Sequence, residues 1–415
     1  MTDFNIKRIA KTLKRRLYKL YNKLFIYLPA AALIFLRSLL LTSLTFLGKL
    51  FRSNSNPKRI IIFRQDGIGD YILFRNFLEI LKKNPAFSDY KITLLGNGAW
   101  KDLAEFLDKE FVDEFIWIDK KRITTDFFYR YKKFKEITSV KYDILIHPFS
   151  REFFNADNDL AYLIKADEKI GSIKSPRFLK SYRRIILEKI YDNLIPDAES
   201  VWFEFYKNRN FFEKITGGKI KIEKPFINLD VADNAPTLSP YAAFFIGASV
   251  KHRKWSAKNF AQVASYLKNK HGYETVLCGG KDELNDVAEF KKYFPFPFTD
   301  TVGKISLIEL LSVIKGASLV VSNETMAPHI AMALAKPAVI VISTGGPPYG
   351  LFVPYPAEIA GNNYAVVFHP KIEKNIDDYI KITEKTGHGY DNKFDISEIT
   401  AESVIKRIEN LLKKL

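Results

Sequence analysis

The sequence predicts an α/β protein with two tandem domains, each a parallel sheet covered by helices on both faces. Three observations support this class. A buried strand, a glycine turn and an amphipathic helix follow one another in residues 59–81, strand and helix patterns then alternate, and the alternation restarts after a polar segment at 229–240. Because a strand that leads through a helix to a second strand forms a parallel βαβ unit, repeated alternation predicts two such sheets.

The chain is long enough for two such domains and an appendage, and its charge is unevenly distributed. It has 415 residues, 47% of them hydrophobic, and Cys278 is the one cysteine, which excludes an intrachain disulfide. The formal net charge is +17. Residues 1–60 contain 13 Lys/Arg and the single acid Asp3, a net +12, so the remainder carries 17 − 12 = +5. The basic character therefore belongs mainly to an N-terminal head.

The head, residues 1–56, combines a basic amphipathic helix at 4–24 with two apolar runs. The runs are residues 24–36 and 38–48, separated by Arg37. Neither reaches the roughly 20 residues that span a bilayer. Joined, they would hold Arg37 near the membrane centre, so we favour an interfacial or hairpin anchor on an anionic membrane over a true span. The alternative is a helical pair that packs on the protein's own body.

The first domain, predicted at residues 57–232, opens with the stretch that organises the chain. Ile60–Phe63 has the apolar, β-branched composition of a buried strand, Arg64–Asp70 is a polar turn with two glycines, and apolar residues recur at helical spacing as far as Leu81. Further strands are predicted at Lys91–Leu95, Phe115–Ile118, Tyr142–His147 and Lys169–Gly171. Further helices are predicted at Trp100–Leu107, Asp126–Thr138, Asn158–Ile164 and Ala198–Ile215.

The two-glycine turn is a candidate ligand site, because open α/β sheets bind ligands at the carboxyl ends of their strands. Asp70 falls at or near the start of the helix, where it is either a capping acid or a functional one. A dinucleotide fingerprint fits poorly, since residues 67–72 lack the third glycine and the next strand ends in Gly96-Asn97 without a ribose-binding acid. No P-loop pattern occurs in the sequence.

The second domain is predicted at residues 233–398 and is followed by a final helix at 399–415. Its predicted strands are Tyr241–Ile246, Glu274–Cys278, Leu319–Ser322 and Ala338–Ile342. Its predicted helices are Ser256–Lys270, Leu307–Ile314 and Pro328–Ala335. Three strand ends lead into candidate ligand turns, at residues 247–255, 322–329 and 343–348. Small residues let backbone N–H groups approach an anion in such turns, and Arg253 and Lys254 add positive charge to the first.

These turns carry a resemblance to glycosyltransferase family 9, the ADP-heptose:lipopolysaccharide heptosyltransferase-like proteins. The strand, D-x-I-G-D and helix start at residues 66–70 resemble the N-terminal motif of the family, and the turn that ends in Trp255 resembles its donor-phosphate loop. Residues 323–331 resemble its N-D/E-T/S-x-x-x-H-x-A motif, and residues 395–397 also match. The order and spacing of these motifs cover roughly residues 57–415.

The resemblance implies a type B glycosyltransferase fold, with two Rossmann-like domains facing a cleft, the acceptor on the first and the nucleotide sugar on the second. Asp70 would be the general base on the acceptor hydroxyl. The implied substrate-binding residues are Gly69, Ser249, Arg253, Lys254, Gly279, Glu324, Thr325 and His329. Basic side chains and backbone amides would neutralise the diphosphate leaving group, so neither a metal nor a cofactor is expected.

Several features depart from the family pattern or are weak signals. Met326 stands where many members have glycine, the loop after Ile342 lacks the usual Gly-Pro-Thr run, and the basic head is an addition. The D-x-D at residues 157–159 begins a predicted helix and fits capping better than metal binding. The six histidines show no ligand-like spacing, and His147 is either an acceptor contact or an ordinary strand-end histidine.

The expected function is that of an inverting, metal-independent glycosyltransferase at the cytoplasmic face of the inner membrane. It would move a sugar, heptose by family default, from a nucleotide-diphosphate donor to a lipid-linked glycan such as lipopolysaccharide core. No nucleic-acid partner is expected, because nucleic-acid arms are not followed by apolar segments like those of the head. Two alternatives remain open: a non-catalytic protein that binds a sugar nucleotide, and a nucleotide-sugar epimerase.

Overall fold

The computed structural model describes most of both predicted domains. The described residues are 58–148, 156–173, 184, 187–197, 203–229, 240–336, 339–344, 355–378 and 394–414. The predicted head at 1–56, nearly all of the predicted linker at 229–240 and the Gly345–Pro348 part of the third candidate turn lie outside them. Among the described residues, no helix is long and apolar enough to cross a membrane.

The first domain contains a sheet of six parallel strands in the order β3-β2-β1-β4-β5-β6. The strands are β1 Arg59–Arg64, β2 Lys91–Asn97, β3 Glu114–Ile118, β4 Lys141–His147, β5 Lys165–Ile173 and β6 Asn193–Pro196. β1 lies near the middle of this sheet, and its residues from Ile60 to Arg64 are buried. The continuous apolar run is therefore explained by a strand that is covered on both faces.

Seven helices flank this sheet among the described residues. They are α1 Ile68–Phe74, α2 Asn76–Lys83, α3 Lys101–Leu107, α4 Lys120–Thr125, α5 Phe127–Thr138, α6 Ala156–Leu163 and α7 Glu204–Thr216. The helix predicted to follow the glycine turn is interrupted once, at Arg75, where α1 ends and α2 begins. Asp70 lies in the first turn of α1, and its Oδ2 accepts a hydrogen bond from the Gly67 backbone N–H at 2.9 Å.

The second domain repeats the architecture, with strand order β12-β11-β10-β7-β8-β9 and all pairings parallel. Its strands are β7 Tyr241–Phe245, β8 Glu274–Cys278, β9 Thr299–Asp300, β10 Leu319–Asn323, β11 Val339–Ser343 and β12 Tyr364–Phe368. Its helices are α8 Ala257–His271, α9 Leu284–Tyr293, α10 Leu307–Gly316, α11 Ala327–Ala333, α12 Ala357–Ala360, α13 Pro370–Glu373 and α14 Ala401–Leu412. The predicted α/β class with two Rossmann-like domains is confirmed.

The two domains pack against each other through two pairs of helices, one of which follows candidate turns. Helix α1 contacts α11, and α3 contacts α10. The segment before the second domain adds a backbone bond across the interface, from the Ile227 N–H to the Ala333 carbonyl at 2.8 Å. Helix α14 packs in the second core beside α8, with Val404 and Ile408 fully buried. The carboxyl ends of β1 and β10 are therefore brought towards the same cleft.

Candidate active site

The glycine turn of the first domain is built on a buried arginine. Arg64, the last residue of β1, has no exposed surface, and its Nε lies 2.7 Å from Asp66 Oδ2. Its other guanidinium nitrogens donate to Glu204 at 2.9 Å and Asn208 at 3.1 Å, both on α7. Burial opposes the charge of Arg64, but the carboxylates of Asp66 and Glu204 more than offset it and raise its pKa. This network fixes the start of the turn against α7.

The two acids of the turn, Asp66 and Asp70, differ in burial and in the groups that they contact. Asp66 is 4% exposed, and its carboxylate is engaged by Arg64. The Asn97 side-chain amide and the Trp100 indole N–H both donate to the Asp66 backbone carbonyl, at 3.0 and 3.1 Å. Asp70 is only half-buried, one turn further along. Asp70 is therefore the less buried of the two acids, and it directly follows the glycine that lies against the second domain.

Gly69 brings this turn directly against the second domain. A Cβ added at Gly69 would lie 2.5 Å from Cδ2 and 3.2 Å from Nε2 of His329. Real Cβ atoms do not approach a ring carbon so closely, so the contact requires a residue without a side chain. The residue before Asp70 thus touches α11, which follows the turn at the end of β10.

His329 is held as a neutral imidazole. It is 5% exposed, and burial lowers its pKa to about 4. Its Nδ1 lies 2.8 Å from the Tyr355 hydroxyl, whose own pKa burial raises well above 10. When that hydroxyl donates to Nδ1, the imidazole proton resides on Nε2, on the ring edge that faces Gly69.

Glu324 stands at the carboxyl end of β10, between a hydroxyl donor and an arginine. It is 9% exposed, and its Oε2 accepts from the Ser343 hydroxyl at 2.6 Å. Its Oε1 lies 3.5 Å from Arg253 Nη1 in the turn after β7. Thr325, the next residue, is half-buried. A carboxylate fixed in this way can accept hydrogen bonds from sugar hydroxyls, either in place of its contact with Arg253 or in addition to it.

Asn323 joins the two turns that supply these groups. Its side-chain amide donates to the carbonyls of Ile246 and Gly247, at 3.1 and 3.0 Å, and its oxygen accepts from the Trp255 backbone N–H at 3.1 Å. The Trp255 indole N–H donates in turn to the carbonyl of Ile399 at 2.7 Å. The loop that carries Arg253 is therefore fixed at both of its ends.

Arg253 and Lys254 in that loop lie beside different carboxylates. Arg253 faces Glu324, whereas Lys254 Nζ lies 2.5 Å from Asp286 Oδ2 on α9. Both cations are partly exposed, and Ser249 of the same loop is exposed. Arg253 is therefore the cation that directly borders Glu324, and Lys254 stands to one side.

Glu283 is a candidate that the sequence reasoning missed. It follows Gly279-Gly280 at the end of β8, and its Oε2 accepts from the Gly280 N–H at 2.7 Å. A Cβ at Gly247 would lie 2.3 Å from Glu283 Cγ, so this side chain crosses to the end of β7. The sequence did offer a signal for Glu283. In dinucleotide-binding folds, an acid that follows the second strand of the Rossmann-like unit binds ribose hydroxyls.

The structure thus places the predicted site residues in neighbouring groups along the cleft. Gly69, the residue before Asp70, meets His329 between the domains, Arg253 adjoins Glu324, and Gly279 lies beside Glu283. The roles assigned to them and to Ser249, Lys254 and Thr325 stay predictions.

His147 is packed inside the first domain. His147 stacks on Phe63 with ring centroids 4.8 Å apart, and its Nδ1 lies 2.5 Å from the Tyr191 hydroxyl. Burial and the nearby Arg64 charge lower its pKa to about 3, so it is a packed, neutral histidine. The described residues contain no group of three or more His, Cys, Asp or Glu side chains that could hold a metal ion.

Two Rossmann-like domains that meet across a cleft, with ligand turns at the strand ends of both, define the type B glycosyltransferase architecture. The chain belongs to glycosyltransferase family 9 (heptosyltransferase), whose family model matches residues 130–344, just over half of its length. The family that the motifs indicated is confirmed, and the chain is a glycosyltransferase. No curated protein sequence matches it.

Solved structures of similar proteins agree on the fold. A glycosyltransferase family 9 protein from Veillonella parvula is 21% identical with a TM-score of 0.64, and the alignment covers 88% of this chain and 100% of that one. Heptosyltransferase WaaC from E. coli with ADP-2-deoxy-2-fluoro heptose is 19% identical with a TM-score of 0.61, covering 85% and 99%. ADP-heptose lps heptosyltransferase II from E. coli is 14% identical with a TM-score of 0.57, covering 86% and 99%.

Proposed function

We propose that this protein transfers a sugar, heptose by family default, from a nucleotide-diphosphate donor to a hydroxyl of a lipid-linked glycan, with inversion and without a metal. The observation that carries the proposal is the contact of Gly69 with His329, which brings the acid of one domain beside the polar turn of the other. Direct transfer needs an acceptor base and a donor site within one substrate's reach, and this contact supports that arrangement.

On the acceptor side, Asp70 would act as the general base. Its carboxylate would accept the proton of the acceptor hydroxyl as the oxygen attacks the anomeric carbon on the face opposite the departing diphosphate. The Gly67 N–H bond to Asp70 Oδ2 orients the carboxylate, and the Arg64–Asp66 ion pair fixes the turn beneath it. The sugar–oxygen bond to the diphosphate breaks as the bond to the acceptor oxygen forms, which inverts the anomeric carbon.

On the donor side, Arg253 would neutralise the diphosphate, with Lys254 adding charge from the side. Diphosphate binding there would draw the Arg253 guanidinium from Glu324, 3.5 Å away, and release that carboxylate for the hydroxyls of the sugar. Glu283, at the ends of β7 and β8, would accept the hydroxyls of the ribose. The Nε2 edge of neutral His329 would donate to the phosphate side of the sugar.

A lipid-linked acceptor and a membrane location are part of the proposal. Support comes from the head, where a net charge of +10 accompanies two apolar runs in residues 1–56. A basic amphipathic segment beside apolar segments favours attachment to an anionic surface such as the cytoplasmic face of the inner membrane. Lipopolysaccharide core is the acceptor that the family name suggests.

The test is Asp70→Asn, with Asp66→Asn as the matched control. Asparagine keeps the size and the hydrogen-bond acceptor but cannot take the proton, so turnover should fall by about 10² or more while nucleotide-sugar binding persists. Asp66→Asn removes one partner of a buried ion pair, so it should lower the free energy of unfolding and reduce turnover less.

Three outcomes would contradict the proposal in different ways. Wild-type turnover in Asp70→Asn would make Asp70 a capping residue and remove the base. Binding of sugar nucleotides with no transfer to any lipid-linked acceptor would favour a non-catalytic role. Conversion of a sugar nucleotide in the absence of an acceptor would favour an epimerase.

A further inference from the structure

The surface formed by α4 and α5, residues 120–138, combines exposed aromatic rings with uncompensated positive charge. Residues 119–139 contain seven Lys/Arg and three acids, a net charge of +4. Phe128 is 82% exposed, more than any other large hydrophobic side chain in the described part of the chain, and Tyr131 is 42% exposed. Exposed apolar side chains that cluster, unlike single ones, mark protein or membrane interaction sites.

The exposed residues lie on one face of α5. Phe128, Tyr131, Lys132 and Lys135 are exposed, and spacings of three and four residues place them along one side of the helix. Lys121, on the adjoining helix α4, is also exposed. Lys121, Lys132 and Lys135 make no ion pair with any acid that the structure describes. We call these five residues the α4–α5 face.

The two helices form a rigid unit, so the face has a fixed orientation. The Arg130 guanidinium, from α5, donates to the carbonyls of Ile123 and Thr124 in α4, at 2.6 and 2.8 Å. The Asp119 backbone N–H donates to the Tyr129 hydroxyl at 2.8 Å. Arg122 lies over the Tyr129 ring, 4.3 Å from its centroid.

The unit is joined to the catalytic turn. Helix α4 follows β3, whose carboxyl end lies at the same edge of the parallel sheet as that of β1. The Lys120 ammonium donates to the carbonyl of Gln65 at 3.2 Å, within the turn that leads to Asp70. A surface bound to the α4–α5 face is therefore held beside the acceptor side of the cleft.

We propose that the α4–α5 face is a membrane-contact surface that binds anionic lipid headgroups through its lysines and inserts Phe128 and Tyr131 at the interface. Its occupant is an anionic bilayer, because the lysines complement phosphate headgroups and the rings suit the headgroup–acyl boundary. A single-stranded nucleic acid fits less well, since such ligands bind in grooves lined by aromatic platforms and this face is the outer side of one helix. The inference rests on the proposed membrane-held acceptor and adds a second contact, independent of the head, that orients the cleft.

The first experiment labels the full chain at single positions with an environment-sensitive fluorophore. Cys278 is fully buried and burial raises its pKa to about 12, so Phe128→Cys provides the one reactive thiol among the residues described. On addition of vesicles of phosphatidylcholine with phosphatidylglycerol, the label at 128 should shift to the blue. Tyr293→Cys is the matched control, because Tyr293 is a 44% exposed aromatic that follows two lysines on α9 of the other domain, and its label should not shift.

The second experiment removes the charge. In the chain labelled at 128, Lys121→Ala, Lys132→Ala and Lys135→Ala should each raise the lipid concentration for half of the shift by about fivefold. Vesicles of phosphatidylcholine alone should give little shift. Vesicle binding without any change at 128 would overturn the inference and leave the head as the membrane contact. A shift with single-stranded DNA but not with vesicles would overturn it in favour of nucleic acid.

Neither measurement involves sugar transfer, so the two proposals fail separately. If the label at 128 shifts with lipid but the protein transfers no sugar, the membrane contact is supported and the proposed reaction is rejected. If sugar transfer is lost in Asp70→Asn but the label at 128 does not respond to lipid, the proposed reaction is supported and the membrane-contact surface is rejected.

Discussion

Substituting Gly69 by alanine tests the contact on which the proposed function depends. The added Cβ would lie 2.5 Å from Cδ2 of His329, whereas carbon atoms pack at about 3.5 Å. The ring cannot easily withdraw, because it is 5% exposed and its Nδ1 is bonded to the Tyr355 hydroxyl at 2.8 Å. We therefore expect the turn of the first domain to move away from His329 by about 1 Å.

The expected effect falls on catalysis rather than on stability. A displacement of about 1 Å between reacting groups typically costs about 10² in rate. Gly69 is the second residue of α1, where alanine is favoured over glycine by up to about 1 kcal/mol, and this gain opposes the cost of relieving the clash. The free energy of unfolding should consequently change little, and nucleotide affinity should persist because the donor residues lie on the other domain.

The assay compares Gly69→Ala with Gly218→Ala, whose added Cβ would meet nothing within 4 Å. Turnover at saturating donor, calorimetric nucleotide affinity and urea unfolding would be measured for both variants. Only Gly69→Ala should lose turnover. If it retains wild-type turnover while folded, the two turns do not meet in the working enzyme, and the argument from their contact is refuted.

Three further predictions concern charge. Replacing Arg253 and Lys254 together by alanine should raise the dissociation constant for a nucleoside diphosphate tenfold or more in calorimetry, since each charge-assisted bond contributes about 1.5–3 kcal/mol. Deleting residues 1–52 should weaken pelleting with anionic liposomes while the protein stays folded, because the head carries most of the charge. Lowering the pH from about 7.5 to about 5 should reduce the free energy of unfolding by about 2 kcal/mol, because the buried His329 stays neutral while the unfolded state takes up its proton. In urea titrations, this pH dependence should be absent from His329→Gln and present in His252→Gln.

The sign of the pH effect follows from the direction of the pKa shift. Burial lowers the pKa of His329 from 6.5 to about 4, so the unfolded state binds more protons between these values. Stability from this group is complete above about pH 6.5 and is lost as the pH falls towards 4. An equal pH dependence in His329→Gln and the wild-type protein would contradict the buried, neutral imidazole. Unchanged nucleotide affinity in the Arg253/Lys254 variant would contradict the diphosphate site. Undiminished pelleting after the deletion would contradict membrane attachment by the head.

The sequence could predict the elements whose own composition specifies them. The strands at β1, β2 and β8 are continuous β-branched or apolar runs, and their predicted bounds lie within two residues of the observed ones. β6 and β9 were missed because they are short and are defined by pairing with β5 and β8. β12, an apolar run at the sheet edge, was also missed, as was α9, whose start at Leu284 is 53% exposed.

The site was predictable only as separate turns. The motifs indicated Asp70, Arg253 and His329, because each follows a strand in a recognisable pattern. The partners that fix them are distant in sequence: Glu204 lies 140 residues from the Arg64 that it binds. Periodicity carries no information on such pairs, so the different surroundings of Asp66 and Asp70 could be seen only in the structure.

The interdomain contacts near His329 connect domain docking to the geometry of the site. Tyr355, which holds the imidazole, packs on Phe203 of the first domain with ring centroids 4.9 Å apart. The neighbouring Tyr206 hydroxyl donates to Glu358 of the second domain at 2.7 Å, a bond that lowers the pKa of that carboxyl. Because one tyrosine touches both the opposite domain and His329, a shift between the domains moves the imidazole relative to Asp70. The packing of the two domains and the position of the imidazole beside Gly69 are therefore coupled.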